Sequence, residues 1–116
     1  MGTDAIWITE SDVVELMDLA DAITALETAL REEARGAAQN MTKTLLQYGK
    51  NNLHAIGGKL GDFVGTKSWT HTQGGTCPLL LLWRAEDGSL VAVIEAFALG
   101  SLRTGGISGV AARWMA

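Results

Sequence analysis

The chain has one cysteine, Cys77, in 116 residues. An internal disulfide is therefore excluded, which agrees with a reducing, cytoplasmic setting. It has one proline, Pro78, so neither a proline-rich linker nor a polyproline recognition segment is present. It has two histidines, His54 and His71, and with a single cysteine these do not make a metal-ligand set; no metal is expected. No apolar run reaches bilayer-spanning length, so no membrane partner is expected. Nor does the acidic opening "MGTDAIWITESD" show the charged-then-apolar order of a secretion signal. A formal net charge of −4 gives no electrostatic footprint for nucleic acid.

What is present is a hydrophobic fraction of 47% and fourteen glycines. The first suits one core and a single domain. The second suits tight turns and close approaches of backbone. "AIWIT" reads as a short strand. "TESDVVELMD" reads as a short helix with Thr9 and Ser11 at its start. "DLADAITALETALREEARG" carries Ile23, Leu26, Leu30 and Ala34 at helical spacing, with Asp18 as its cap and Gly36 at its end. Its acidic residues read as a solvated face.

Beyond Gly36 the period becomes two. "TKTLLQY", "GKNN" and "LHAIGG" read as a hairpin. "DFVGTKSWTHT" follows as a strand with Phe63, Gly65, Lys67, Trp69 and His71 on one face. "QGGT" reads as a loop. "CPLLLLWRA" reads as a strand covered on both faces, with Cys77 as a small core residue. "EDG" is a turn, "SLVAVIEAF" a strand, and "SLRTGGISGVAARWMA" a closing helix. The predicted class is α+β: a mainly antiparallel sheet with N-terminal helices and a C-terminal helix.

Two residues stand out chemically. Lys67 lies mid-strand beside Trp69, where an ammonium either reaches to water or is held for binding and proton exchange. Arg103, placed by this reading in the first turn of the last helix, could hold a carboxylate bidentately beside free backbone amides. Gly105 and Gly106 would then leave room for the anion. The competing reading is close helix–helix packing through Gly105 and Gly109. "GGISG" departs from the dinucleotide spacing GxGxxG. His71 could line a site near Lys67. Trp69 and Trp83 read as packing residues.

Three stretches resemble the ornithine cyclodeaminase/mu-crystallin family. "VGTK" resembles its Gly-x-Lys strand, "LLLLWRAEDGSLVAVIEA" its strand–turn–strand, and "LGSLRTGGISGVAARWMA" its Arg-Thr helix. "WITESDVVELMDLADAITALETAL" resembles the family's opening, so the likeness spans nearly the whole chain. The resemblance implies an NAD(P)-dependent enzyme acting on an amino acid or cyclic imine. Such enzymes include ornithine cyclodeaminases (lyases), alanine dehydrogenases and ketimine reductases. It implies that Lys67 is the active-site lysine contacting substrate and that Arg103 contacts the substrate carboxylate near cofactor. Lys43 falls where the family carries a carboxylate-binding arginine, and keeps the charge without the fork. Gly75 and Thr76 fall near a Ser/Thr position that reaches cofactor, and of these only Thr76 has a hydroxyl. The family's Rossmann domain is absent from this sequence. Residues 1–116 are therefore expected to be a substrate-binding and dimerisation domain, a truncated part of a longer enzyme. NAD or NADP is expected in the complete enzyme, with no cofactor bound and no turnover by this chain alone. A homodimer through the sheet is implied. The alternative is a stand-alone, non-enzymatic dimeric module that binds a small carboxylate or a partner chain.

Overall fold

A computed structural model describes residues 4–115, the Trp114 side chain excepted. Residues 1–3 and Ala116, part of the sequence reading above, lie outside the described residues.

The elements run β1 (Ile6–Ile8), α1 (Glu10–Leu16), α2 (Leu19–Ala34), β2 (Ala38–Asn40), β3 (Thr44–Tyr48), β4 (Asn51–Leu60), β5 (Phe63–Thr72), β6 (Gly75–Thr76), β7 (Leu79–Arg84), β8 (Leu90–Glu95) and α3 (Phe97–Met115). The α+β class holds. The strands form one sheet in the order β1-β8-β7-β5-β4-β2, with β3 also paired to β4 and β6 to β5. Every pairing is antiparallel except β1 with β8.

The first two helices start as their cap residues dictate. The Thr9 hydroxyl accepts from the Asp12 amide while the Asp12 carboxylate accepts from the Thr9 amide. The Thr9 amide, and after it the Thr9 hydroxyl, hold the Asp12 carboxyl below its ordinary pKa. Ser11 lies inside α1, two residues past the true cap. Asp18 and Asp21 repeat the same reciprocal capping at the start of α2. Gly36, at φ +76°, takes the left-handed position that ends α2. The hairpin between β3 and β4 turns at Gly49, φ +58°.

The last helix differs from the sequence reading at its start. It begins at Phe97, so Arg103 sits in its second turn, beyond the free amides of the first. The amides of Phe97 and Ala98 are met by the Glu10 carboxylate at 3.0 and 3.1 Å. A carboxylate at that end also suits the helix dipole. The cap lies far away in the chain, which is why the local sequence does not reveal it. The Glu10 amide in turn donates to Glu95, as does the Trp7 indole, both at 2.9 Å. Those two donors hold the Glu95 carboxyl below its ordinary pKa.

The glycines of α3 serve packing, so the anion-access reading of Gly105 and Gly106 is corrected. A Cβ on Gly106 would lie 2.5 Å from Leu26 Cδ1 and 3.4 Å from the Ala22 carbonyl carbon, and one on Gly105 would lie 3.3 Å from Leu19 Cδ1. A Cβ on Gly109 would collide with Ile23. Removing those side chains lets α3 lie directly against α2, where Ala22 and Val110 are buried. Arg113 of α3 is also ion-paired to Glu27 of α2 at 2.6 Å, so Glu27 is an exception to the solvated acidic face.

The helices lie over one face of the sheet. By register this face carries His54, Ile56, Lys67, Trp69, Leu80, Leu82, Ala92 and Ile94. The opposite face carries Leu46, Leu53, Leu79, Leu81 and Val93. There Leu46 is 58% exposed and Leu53 41% exposed. The β7 strand is therefore central in the sheet but covered on one face, and its leucines are at most half-buried. Its apolar run reflects an open apolar face as well as a core. Cys77 is exposed, contrary to its reading as a core residue. β2 and β6, the latter in place of a simple "QGGT" loop, were not anticipated. No described helix is long and apolar enough to cross a membrane.

Replacing Gly106 by leucine is expected to destabilise the chain by about 1–3 kcal/mol through overpacking, despite a helix-propensity gain of up to about 1 kcal/mol. Ser108→Ala, at an exposed position of the same helix, should be neutral or slightly stabilising. Urea denaturation followed by circular dichroism measures both.

Candidate functional site

β5 and α3 together make the site. Strand alternation puts Lys67 and Trp69 on the helix-covered face of β5. The packing of α3 on α2 brings Gly100 over them, and a Cβ there would lie 3.6 Å from Lys67 Nζ. The glycine that makes room for the lysine is therefore Gly100. Arg103, almost one turn further along α3, borders the same space. The resulting cleft, of about 280 Å³, is lined by Lys67, Trp69, Thr76, Gly100, Arg103 and Thr104 among others.

Lys67 and Arg103 thus converge on one concavity. Lys43 joins them by way of Trp69: its Nζ lies 5.4 Å from the indole centroid, and Lys67 Nζ lies 5.0 Å from it. No acidic side chain lines the cleft. Among the described residues the ion pairs are Arg35–Glu32 and Arg113–Glu27, and neither involves these cations. Burial pushes the Lys67 ammonium below its ordinary pKa of 10.5, and the charges of Arg103 and then Lys43 push the same way. Its protonated form opposes folding, and that opposition is relieved as pH rises through the folded-state pKa. A bound anion would reverse the electrostatic part of the shift.

Thr76 lines the cleft too, and its hydroxyl is buried without a hydrogen-bond partner. β6 brings it there by pairing Thr76 with His71. His71 itself is exposed and does not line the cleft, contrary to expectation. Sequence reasoning missed His54. Its ring stacks on Trp69, with centroids 4.7 Å apart and planes 4° from parallel. The cause is the direct cross-strand pairing of His54 with Trp69. The hairpin register between "NNLHAIGGKL" and "DFVGTKSWTHT" could have revealed it. His54 Nδ1 is buried and unpartnered. Burial, then the charges of Lys43 and His71, lowers the pKa of its imidazole.

The cleft sets two cations against a lining without acidic side chains, the chemistry that a small carboxylate or a phosphate oxygen would meet. Dinucleotide-binding folds place a glycine-rich turn between a strand and a helix. The glycine-rich stretch of α3 is spent on packing against α2, and no strand–glycine turn–helix unit exists among the described residues. Arg103 and the orphaned Thr76 hydroxyl could meet only the edge of such a cofactor. Among the described residues, no group of three or more His, Cys, Asp or Glu gathers in metal-binding geometry.

The sequence profile of the ornithine cyclodeaminase/mu-crystallin family matches residues 4–116, and the chain belongs to that family. It is 32% identical over 117 aligned positions to the alanine dehydrogenase of Archaeoglobus fulgidus, covering 94% of this chain and 36% of that protein. It resembles the structure of an archaeal alanine dehydrogenase dimer with bound NAD, with TM-score 0.88 and 31% identity over 93% of this chain and 36% of that one. A Thermococcus litoralis Δ1-pyrroline-2-carboxylate reductase, solved with NADH and L-proline, shares the fold at TM-score 0.82 and 21% identity, over 89% of this chain and 35% of that one. The chain therefore spans a little over a third of the length of these relatives.

Arg103→Gln removes a positive charge beside Lys67, so the Lys67 titration midpoint should move upward. Saturating acetate should move it upward in the unsubstituted chain as well. Both shifts are read by NMR of reductively ¹³C-methylated lysines, with the exposed Lys50 as internal control.

Proposed function

We propose that this chain is the substrate-carboxylate-binding and dimerisation part of an NAD(P)-dependent oxidoreductase or deaminase acting on an amino acid or cyclic imine. The observation that carries the reading is that Lys67 and Arg103 line one cleft in which no acidic side chain of the described residues stands, with Lys43 close by over the Trp69 ring. Three cations held together without counterions are a standing electrostatic cost that an anionic ligand relieves. The enzymatic rather than purely binding reading draws on the family's alanine dehydrogenase and reductase members.

In this reading the Arg103 guanidinium grips the α-carboxylate through its fork, and Lys43 adds a second charge at the same group. Lys67 orients the α-amino or imino nitrogen. Its pKa, lowered first by burial and then by the Arg103 and Lys43 charges, suits it to give up a proton there more readily than an exposed lysine would. The nicotinamide cofactor, NAD or NADP, supplies the hydride chemistry of the complete enzyme. Its principal binding unit lies outside residues 4–115, with Arg103 and Thr76 at its border. Reacting atoms must be held about 3–3.5 Å apart, so the role of this cleft would be to fix the substrate for that approach.

Arg103→Ala should weaken binding of pyruvate or L-alanine by about 10–100-fold, the scale of a lost charge-assisted hydrogen bond of about 1.5–3 kcal/mol. Lys43→Arg should preserve or tighten it. Chemical-shift titration of the Lys67 and Thr76 signals measures both, and unchanged affinity in Arg103→Ala would sink the carboxylate reading.

The open sheet face is proposed as the homodimer surface. Leu46, Leu53 and Leu79 present exposed apolar area there, and Trp7 adds to it at the far edge. Leu53→Glu should turn a dimer into a monomer in sedimentation equilibrium at micromolar concentration, leaving the carboxylate site intact.

A further inference from the structure

The start of α3 is one wall of the cleft: Ala96, Phe97, Gly100, Ser101 and Arg103 line it from that side. Where this stretch lies decides how closely Gly100 and Arg103 stand to Lys67. The Gly100 amide donates to the Ala96 carbonyl at 3.0 Å, so the first turn ends at the glycine over the lysine. That turn is anchored from far away. Glu10, which holds the Phe97 and Ala98 amides, is 87 and 88 positions distant in the chain.

The anchor works in both directions. The Glu10 carboxylate accepts from Phe97 and Ala98, and the Glu95 carboxylate, just ahead of them, accepts from the Glu10 amide at 2.9 Å. Each segment gives the other a carboxylate and offers its own amides in return. This is the reciprocity of a capping box, divided between two distant parts of the chain. The Trp7 indole N–H donates to Glu95 as well and ties β1 into the same clasp.

Little else holds the opening segment down. β1 is three residues long and lies at the sheet edge. Ile6, Trp7, Val14 and Leu16 are exposed, and Val13 is the buried residue of α1. A short edge element with little buried apolar area sits at the low-stability end of a fold. The clasp therefore carries much of its docking.

We propose that β1 and α1 form a latch on the cleft, with Glu10 as the positioning residue that sets the first turn of α3, and through it Gly100 and Arg103, against Lys67. Neither Glu10 nor Glu95 lines the cleft, so the latch acts through α3 and touches no ligand. With the clasp closed, the wall stands over the lysine. With it open, the first turn frays and Lys67 is released to water. The latch is independent of which anion the cleft takes and outlives the carboxylate reading if that reading fails.

The test therefore reads the cleft without a ligand. The Lys67 titration midpoint, followed by NMR of reductively ¹³C-methylated lysines, reports the burial and the neighbouring charge that α3 imposes. Glu10→Ala should move it upward, toward the ordinary 10.5. Loss of a carboxylate acting only through space would move it downward, so the sign separates positioning from simple electrostatics. Glu10→Gln keeps one acceptor oxygen and should move the midpoint part of the way; it carries the test if Glu10→Ala does not fold. Glu95→Ala frees the Glu10 amide and the Trp7 indole and should also raise the midpoint, although Glu95 makes no hydrogen bond to α3. The Gly100 amide should lose about fivefold in hydrogen-exchange protection in Glu10→Ala, the factor that a lost helix cap carries. Asp87→Ala loses the Ser89 bonds at the far end of the β7–β8 hairpin and controls for general loss of stability. It should move neither reading. An unmoved or lowered midpoint in the Glu10 variants overturns the positioning role. A raised midpoint there with an unmoved one in Glu95→Ala overturns the latch. An equal rise in Asp87→Ala overturns both.

Discussion

The close contact between α2 and α3 is the constraint on which the site depends. Bare backbone at Gly105, Gly106 and Gly109 lets α3 settle against Leu19, Ala22, Ile23 and Leu26. Glycines lower the intrinsic helicity of α3, so its helical state relies on that contact and on the cap from Glu10. Once α3 is seated, Gly100 and Arg103 have a fixed distance from the sheet. The anion cleft is then the gap left between a helix that cannot move away and a strand that carries a lysine.

That gap is electrostatically unfinished. Burial and two neighbouring positive charges act on Lys67, and no side chain in the lining answers them. Folding energy gained elsewhere in the sheet and at the helix interface holds this arrangement in place. A site organised before its ligand arrives loses less entropy on binding.

Local patterns in the sequence carried the elements well. The caps at Thr9 and Asp18, the glycine end of α2 and the β3–β4 turn are all short-range signals, and each is where the residues placed it. Strand alternation alone set Lys67 and Trp69 on one face. The failures share a different cause. The start of α3 is set by Glu10, the orientation of the α3 glycines by α2, and the wall behind Lys67 by His54 on a neighbouring strand. The burial of β7 and the exposure of Cys77 turn on which sheet face the helices choose. Each is a tertiary fact with no trace in a local window. The meeting of Lys67 and Arg103 at one cleft was expected from their shared suitability for one carboxylate, and spacing in the chain does not disclose it.

The chain of hydrogen bonds from Trp7 through Glu95 and Glu10 to the amides of Phe97 and Ala98 joins the segment around β1 to the start of α3. β1 enters the sheet parallel to β8, beside the strand that leads into α3. This makes the opening segment the closing step of assembly. Its pairing must wait until β8 has been synthesised, and the loop it closes holds every residue between Ile8 and Leu90. Until it docks, the first turn of α3 has no cap and Gly100 has no fixed place over Lys67. The order of synthesis is therefore written into the site: the strand bearing the lysine forms early from neighbouring hairpins, and the cleft takes shape only when β1 and Glu10 return to meet β8 and the start of α3.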